Sequence, residues 1–142
     1  YFTIPLAKYA FDGHVYAIDM QQGMLDIVSS RLNEARLNNA EVLLSKETKI
    51  PMDQGALDGA IIVNTLHEAT RPKTLLQETL RLLRKGGWVG LIDWRRIESE
   101  EGPPINERLE REDVISMAID TGFRVQSYYD FNRWFYFILL LK

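Results

Sequence analysis

The chain has 142 residues, 46% of them hydrophobic, and a formal net charge of −3. That length and apolar content suit one folded domain over residues 1–142 and exclude a disordered chain. The acidic balance argues against a nucleic-acid partner, because phosphate binding needs a concentrated basic face. There is no cysteine, which excludes disulfides, thiolate metal sites and cysteine nucleophiles. With only His14 and His67 present, no histidine-based metal site is expected. The longest apolar run, 134–141, is too short to span a bilayer, and no secretory signal opens the chain. A soluble, cytoplasmic protein is the expectation.

In chain order, residues 4–11 read as a helix, with Pro5 tolerated in its first turn. Asp12-Gly13 is a turn and 14–18 a strand. Met24, Ile27, Val28, Leu32 and Ala35 recur at helical spacing, predicting a helix over 21–37 that Asn38-Asn39 ends. Residues 41–44 form a strand, 45–56 a loop, and 57–63 an apolar strand of the kind buried on both faces of a parallel sheet. After a loop over 64–71, a helix spans 72–83. Arg84 and Lys85 favour its negative end and Gly86 its left-handed cap. A strand over 88–93 and a long loop over 94–108 follow. A helix over 109–121, capped by Gly122, leads to strands over 123–129 and 134–141. The short turn between those two strands allows only an antiparallel hairpin. Alternating strands and helices mean a parallel sheet wrapped by helices.

The segment Val15-Tyr16-Ala17-Ile18-Asp19-Met20 ends a strand on a carboxylate. In a doubly wound sheet, an acid there meets the hydroxyls of a bound ribose. A carboxylate accepts two hydrogen bonds and so can chelate a vicinal diol. The alternative is an ordinary acid at a strand end or helix start.

Four segments together resemble the class I S-adenosylmethionine-dependent methyltransferases, in particular the small-molecule branch that includes quinone-biosynthesis C-methyltransferases. They are Tyr1 to Ala7, Val15 to Met20, Ile50-Pro51-Met52-Asp53 through Val63, and Leu83-Arg84-Lys85-Gly86-Gly87 through Asp93. The resemblance implies a Rossmann-like three-layer α/β/α fold, with a mostly parallel sheet in order 3-2-1-4-5-7-6 and a C-terminal antiparallel hairpin. The family's first strand and its glycine-rich loop would lie before Tyr1, so a native N-terminal segment is expected to be missing. That strand is expected to come from residues beyond this sequence, from a partner chain or from a rearranged sheet.

The resemblance also implies S-adenosylmethionine as cofactor. Asp19 would bind its ribose and Met20 would pack on its adenine. Lys46 and Glu47 would lie near the adenine amino group, Asn64 near the methionine part, and Tyr1, Phe2 and Thr3 beside the lost glycine loop. His67 and Asp93 are the candidate catalytic bases, Glu68 and Trp94 the candidate substrate-pocket residues, and Arg95 or Arg96 could meet an acidic acceptor. Each has a plainer reading: His67 as a packed, hydrogen-bonded residue, Lys46 and Glu47 as a solvated loop, Tyr1 and Phe2 as helix-start residues, Trp94 as a surface-loop residue. The acids of 98–101 read as a solvated lid segment. The aromatics from Tyr128 to Phe137 read as core and cross-strand pairs.

The implied function is methyl transfer to a small-molecule acceptor, with no nucleic acid and no membrane span, and with a homodimer left open. Two alternatives stand beside it: a non-catalytic methyltransferase-like remnant that binds a partner through its open sheet, and a nicotinamide-dependent oxidoreductase.

Overall fold

A computed structural model describes residues 1–142. They divide into two compact units, Tyr1–Pro51 and Met52–Lys142. No helix is long and apolar enough to cross a membrane.

The first unit runs α1 (Thr3–Tyr9), β1 (Val15–Asp19), α2 (Gln22–Glu34) and β2 (Ala40–Leu44). β1 and β2 pair in parallel, from Val15 opposite Ala40 to Asp19 opposite Leu44. The Asn39 side-chain amide donates to the carbonyls of Ala7 and Ala10, both at 2.8 Å, and so satisfies the exposed end of α1. α2 stops before the expected Leu37. Arg36 takes a left-handed φ of 54°, and the Leu37 N–H returns to the Leu32 carbonyl at 3.0 Å. That is a helix-ending cap made without glycine.

The second unit runs β3 (Leu57–Val63), α3 (Pro72–Leu82), β4 (Leu83–Trp94), a 3-10 turn (Ile105–Glu107), α4 (Arg111–Thr121), β5 (Arg124–Asp130) and β6 (Phe135–Leu141). Its sheet has the order β3-β4-β6-β5. β3 and β4 are parallel, while β6 is antiparallel to both β4 and β5, as the hairpin reading requires. The first unit's sheet is β1-β2 alone. Of the three sources considered for the family's first strand, a rearranged sheet is not seen: β1 pairs only with β2, and β3 only with β4.

The reading of 72–83 as a helix capped at Gly86 is also corrected. Leu83 is already extended (φ −72°, ψ 140°) and pairs with Leu57, so the chain leaves α3 directly into β4. Gly86 does take a positive φ of 77°, but within the irregular start of β4. Strand pairing outweighs the local cap signal. The Lys142 ammonium donates instead to the carbonyls of Leu80 and Leu83 at 2.8 Å each.

Alternation along β4 sets the core. Val89, Leu91 and Asp93 share one face with Tyr136, Ile138 and Leu140 of β6, and all six are buried. Leu76 of α3 and Val114 and Ala118 of α4 belong to the same buried cluster. The next residue, Trp94, points to the opposite face and meets Phe135 with ring centroids 4.4 Å apart.

The irregular segment after β4 is held by Arg108, only 3% exposed. Its guanidinium donates to the carbonyls of Arg95, Ile97, Glu101 and Pro103 and to the Ser99 hydroxyl, at 2.6–3.2 Å. It also stacks 5.0 Å from the Trp94 ring. Gly102, at φ 92°, lies so close to that ring that a Cβ would collide with it.

Three outcomes are expected. Arg108→Met leaves four loop carbonyls without their donor, destabilises the second unit by about 2–3 kcal/mol, and makes 95–104 the first site of limited proteolysis. Gly122→Ala, at a cap with φ 110°, costs about 1–2 kcal/mol. Gly23→Ala, inside α2 with open space around it, gains about 0.5 kcal/mol in urea denaturation.

Candidate functional site

In the first unit, Asp19 is the last residue of β1 and Met20 begins the turn into α2. Asp19 Oδ1 accepts the Gln21 N–H at 2.9 Å, which orders the start of α2. The second carboxylate oxygen is left for other donors. The Asp19 carbonyl accepts the Ser45 N–H at 2.9 Å, so the turn after β2 is tied to the end of β1. Met20 is exposed. Lys46 and Glu47 lie in that turn, which is closed by paired hydrogen bonds between Lys46 and Lys49. Lys46 is exposed and Glu47 half-buried. Tyr1 and Phe2 precede α1 and stack edge to face at 5.5 Å, both exposed. The Phe2 carbonyl accepts the Leu6 N–H at 3.0 Å, and Thr3 opens the helix.

In the second unit, the carboxyl ends of the parallel strands β3 and β4 gather Asn64, His67, Glu68, Asp93 and Trp94. Asn64 leaves β3 with a left-handed φ of 50°, its N–H bonded to the Ile92 carbonyl at 2.9 Å. Its Oδ1 is buried and accepts no hydrogen bond. His67 and Asp93 meet directly: Nδ1 lies 2.6 Å from Oδ1, with the side chains 4% and 1% exposed. The carboxylate also accepts the main-chain N–H of His67 at 3.2 Å and of Trp94 at 2.8 Å. A carboxylate only accepts, so Nδ1 carries the proton and Nε2 offers its lone pair in the neutral ring. Glu68 is 73% exposed, with Oε1 3.9 Å from that Nε2.

Trp94, Trp134, Arg133 and the segment 98–105 line a hollow of about 1010 Å³. Arg108 and Phe135 both pack against the Trp94 ring, so this tryptophan anchors the loop as well as bordering the hollow. Arg95 pairs with Asp130 at 3.2 Å, and Arg96 is exposed.

Two residues of this region escaped the sequence reading. Arg108 carries no spacing signal, because its partners are carbonyls of an irregular loop. Tyr136 was read only as one of many aromatics. Its parity with Ile138 and Leu140, a polar tip on a buried face, is the signal that marks it.

A family model described as a methyltransferase domain matches residues 1–91, which reach into both units. A crystal structure of an S-adenosylmethionine-dependent methyltransferase from Aquifex aeolicus is 30% identical. It covers 97% of this chain and 74% of its own, with a TM-score of 0.92. The [4+2]-cyclase SpnF shares the fold at 16% identity, with a TM-score of 0.84 over 97% of this chain and 70% of its own. Among curated proteins, the demethylmenaquinone methyltransferase of Lactococcus lactis is 31% identical over 81 residues, 57% of this chain. The aligned part spans about a third (32%) of that relative. With its Rossmann-like α/β fold, this chain belongs to the class I S-adenosylmethionine-dependent methyltransferases.

Proposed function

We propose that this protein transfers a methyl group from S-adenosylmethionine to a small-molecule acceptor, and that residues 1–142 act as one methyltransferase domain. The observation that carries the reading is the carboxyl end of β3 and β4. There a buried, unpartnered Asn64 Oδ1 precedes by three residues a histidine held by a buried carboxylate. Ligands of open α/β sheets bind at such strand ends.

Each unit, taken by itself, holds a group whose chemistry suits part of the cofactor. In the first, Asp19 keeps one carboxylate oxygen for a ribose hydroxyl. In the second, Asn64 Oδ1 is an orphaned acceptor suited to an ammonium group. Met20 would pack on the adenine. Lys46 and Glu47 would lie near its amino group, and Tyr1 and Phe2 near the methionine carboxylate. When bound, S-adenosylmethionine supplies a methyl group already activated on a sulfonium. The protein's own task is alignment and proton handling. Asp93 fixes the His67 tautomer and would balance the imidazolium charge, leaving Nε2 as the proton acceptor. Glu68 and Trp94 would border the acceptor. The fold by itself does not select methyl transfer, since SpnF shares it and is a cyclase. Family membership and the strand-end residues support it. The acceptor is a small molecule in this reading, and the cytoplasm its compartment.

Calorimetric titration with S-adenosylhomocysteine tests the assignment. Asp19→Ala and Asn64→Gly are each expected to weaken binding at least about tenfold, or about 1.4 kcal/mol. Glycine suits position 64 because it takes the left-handed backbone without strain while removing the amide. Undiminished binding in both variants would refute the assignment.

A further inference from the structure

A carboxylate approaches each ring nitrogen of His67, whose side chain is 4% exposed. The two carboxylates have opposite settings. Asp93, buried, bonds Nδ1 and also accepts the main-chain N–H groups of His67 and Trp94. Glu68 is 73% exposed, with Oε1 3.9 Å from Nε2. It pairs with no lysine or arginine, so the ring is its one charged neighbour. The turn after β3 sets up this contrast. The Glu68 N–H returns to the Thr65 carbonyl at 3.2 Å and the Ala69 N–H to the Leu66 carbonyl at 3.3 Å, with Leu66 fully buried. Successive side chains therefore diverge, residue 67 inward to Asp93 and residue 68 out to water.

A buried base must lose the proton it takes up before it can act again. The Nδ1 side offers no way out, because Asp93 is itself 1% exposed. We propose that Glu68 is the proton exit of His67, the group through which Nε2 exchanges its proton with solvent. The inference rests on the methyltransferase reading, in which His67 is the proton acceptor, and adds the step that resets it. In that step the Nε2–H bond of the imidazolium breaks and its electron pair returns to the ring. The proton forms an O–H bond on the Glu68 carboxylate, which then passes it to water. His67 ends neutral, Glu68 ends ionised, and Asp93 keeps its charge throughout.

The geometry suits a carrier. A separation of 3.9 Å is longer than a hydrogen bond, so Glu68 does not lock the ring as Asp93 does. An exposed side chain changes rotamer in picoseconds to nanoseconds, so Glu68 can swing between Nε2 and bulk water without limiting the transfer. The division of labour follows: the buried carboxylate fixes the tautomer, and the exposed one moves the proton.

The test needs no acceptor. Histidine is isotope-labelled, and exchange of the His67 Nε2 proton with water is measured by NMR at a pH where the ring is protonated. The chain has only two histidines, and His14, 3.5 Å from Glu41, serves as the internal control. In Glu68→Gln, exchange at His67 is expected to slow at least about tenfold, short of the full size of general acid–base effects, with His14 unchanged. Glu68→Asp, which keeps a carboxylate, is expected to fall between Glu68→Gln and wild type. A purely structural role for Glu68 moves neither rate. The proposal is overturned if Glu68→Gln exchanges as fast as wild type, if Glu68→Asp is no faster than Glu68→Gln, or if His14 slows to the same extent. Titration with S-adenosylhomocysteine separates the two levels. If wild type binds it and exchange ignores residue 68, only the proton exit falls. If wild type does not bind it while exchange depends on Glu68, the methyltransferase reading falls and the exchange route alone stands.

Discussion

A carboxylate that is 1% exposed sets the terms for the carboxyl end of β3 and β4. Burying an ionised carboxylate is expensive unless donors replace its water. Asp93 has such donors: the Trp94 N–H from its own strand, and both the main chain and the ring of His67. The segment after β3 must therefore bring residue 67 back over β4. Asn64 makes that possible by leaving the strand with a left-handed φ of 50°. Leu66, fully buried, pins the turn to the core. The placing of His67 Nε2 follows from the need to satisfy Asp93.

Arg108 solves the opposite problem by different means. It is a buried cation that pairs with no carboxylate. Its five hydrogen bonds go to four carbonyls and one hydroxyl of a loop with little regular structure of its own. An irregular segment carries carbonyls that no ladder satisfies, and the guanidinium is the one side chain with enough donors to collect them. Consecutive residues of β4 thus organise two different environments. Asp93 faces the helices and holds the turn after β3. Trp94 faces the other way and carries Arg108 and the loop.

Much of this was legible in the sequence where a local signal and the tertiary context agree. The strand over 57–63 is found at those residues because a continuous apolar run is bounded by turn formers on both sides. Pro72 opens α3 as expected. The terminal hairpin follows from spacing alone. The end of α3 was misread because Arg84, Lys85 and Gly86 give a good local cap signal, while the pairing of Leu83 with Leu57 is non-local. His67 and Asp93 were each singled out for ending a strand or following one. Their 2.6 Å contact depends on the parallel register of β3 against β4, which no spacing rule supplies. The position of Tyr136 opposite Asp93 depends likewise on the β4–β6 register.

The second unit keeps the ordinary rules of packing where function asks nothing of it. Leu76, Val89, Leu91, Val114, Ile138 and Leu140 are buried aliphatic side chains with no polar atom of their own to satisfy. The rules lapse together at one strand end: a left-handed Asn64, its unmatched amide oxygen, and the unmatched Tyr136 hydroxyl. Each lapse costs roughly 1–3 kcal/mol, against a total stability of about 5–15 kcal/mol for a typical domain. Faults of folding would fall across the molecule at random. Their concentration beside a histidine–carboxylate pair supports the proposed reading of this strand end as the site. Replacing these groups with apolar ones of similar shape removes the unmatched atoms and is expected to stabilise the fold while weakening ligand binding.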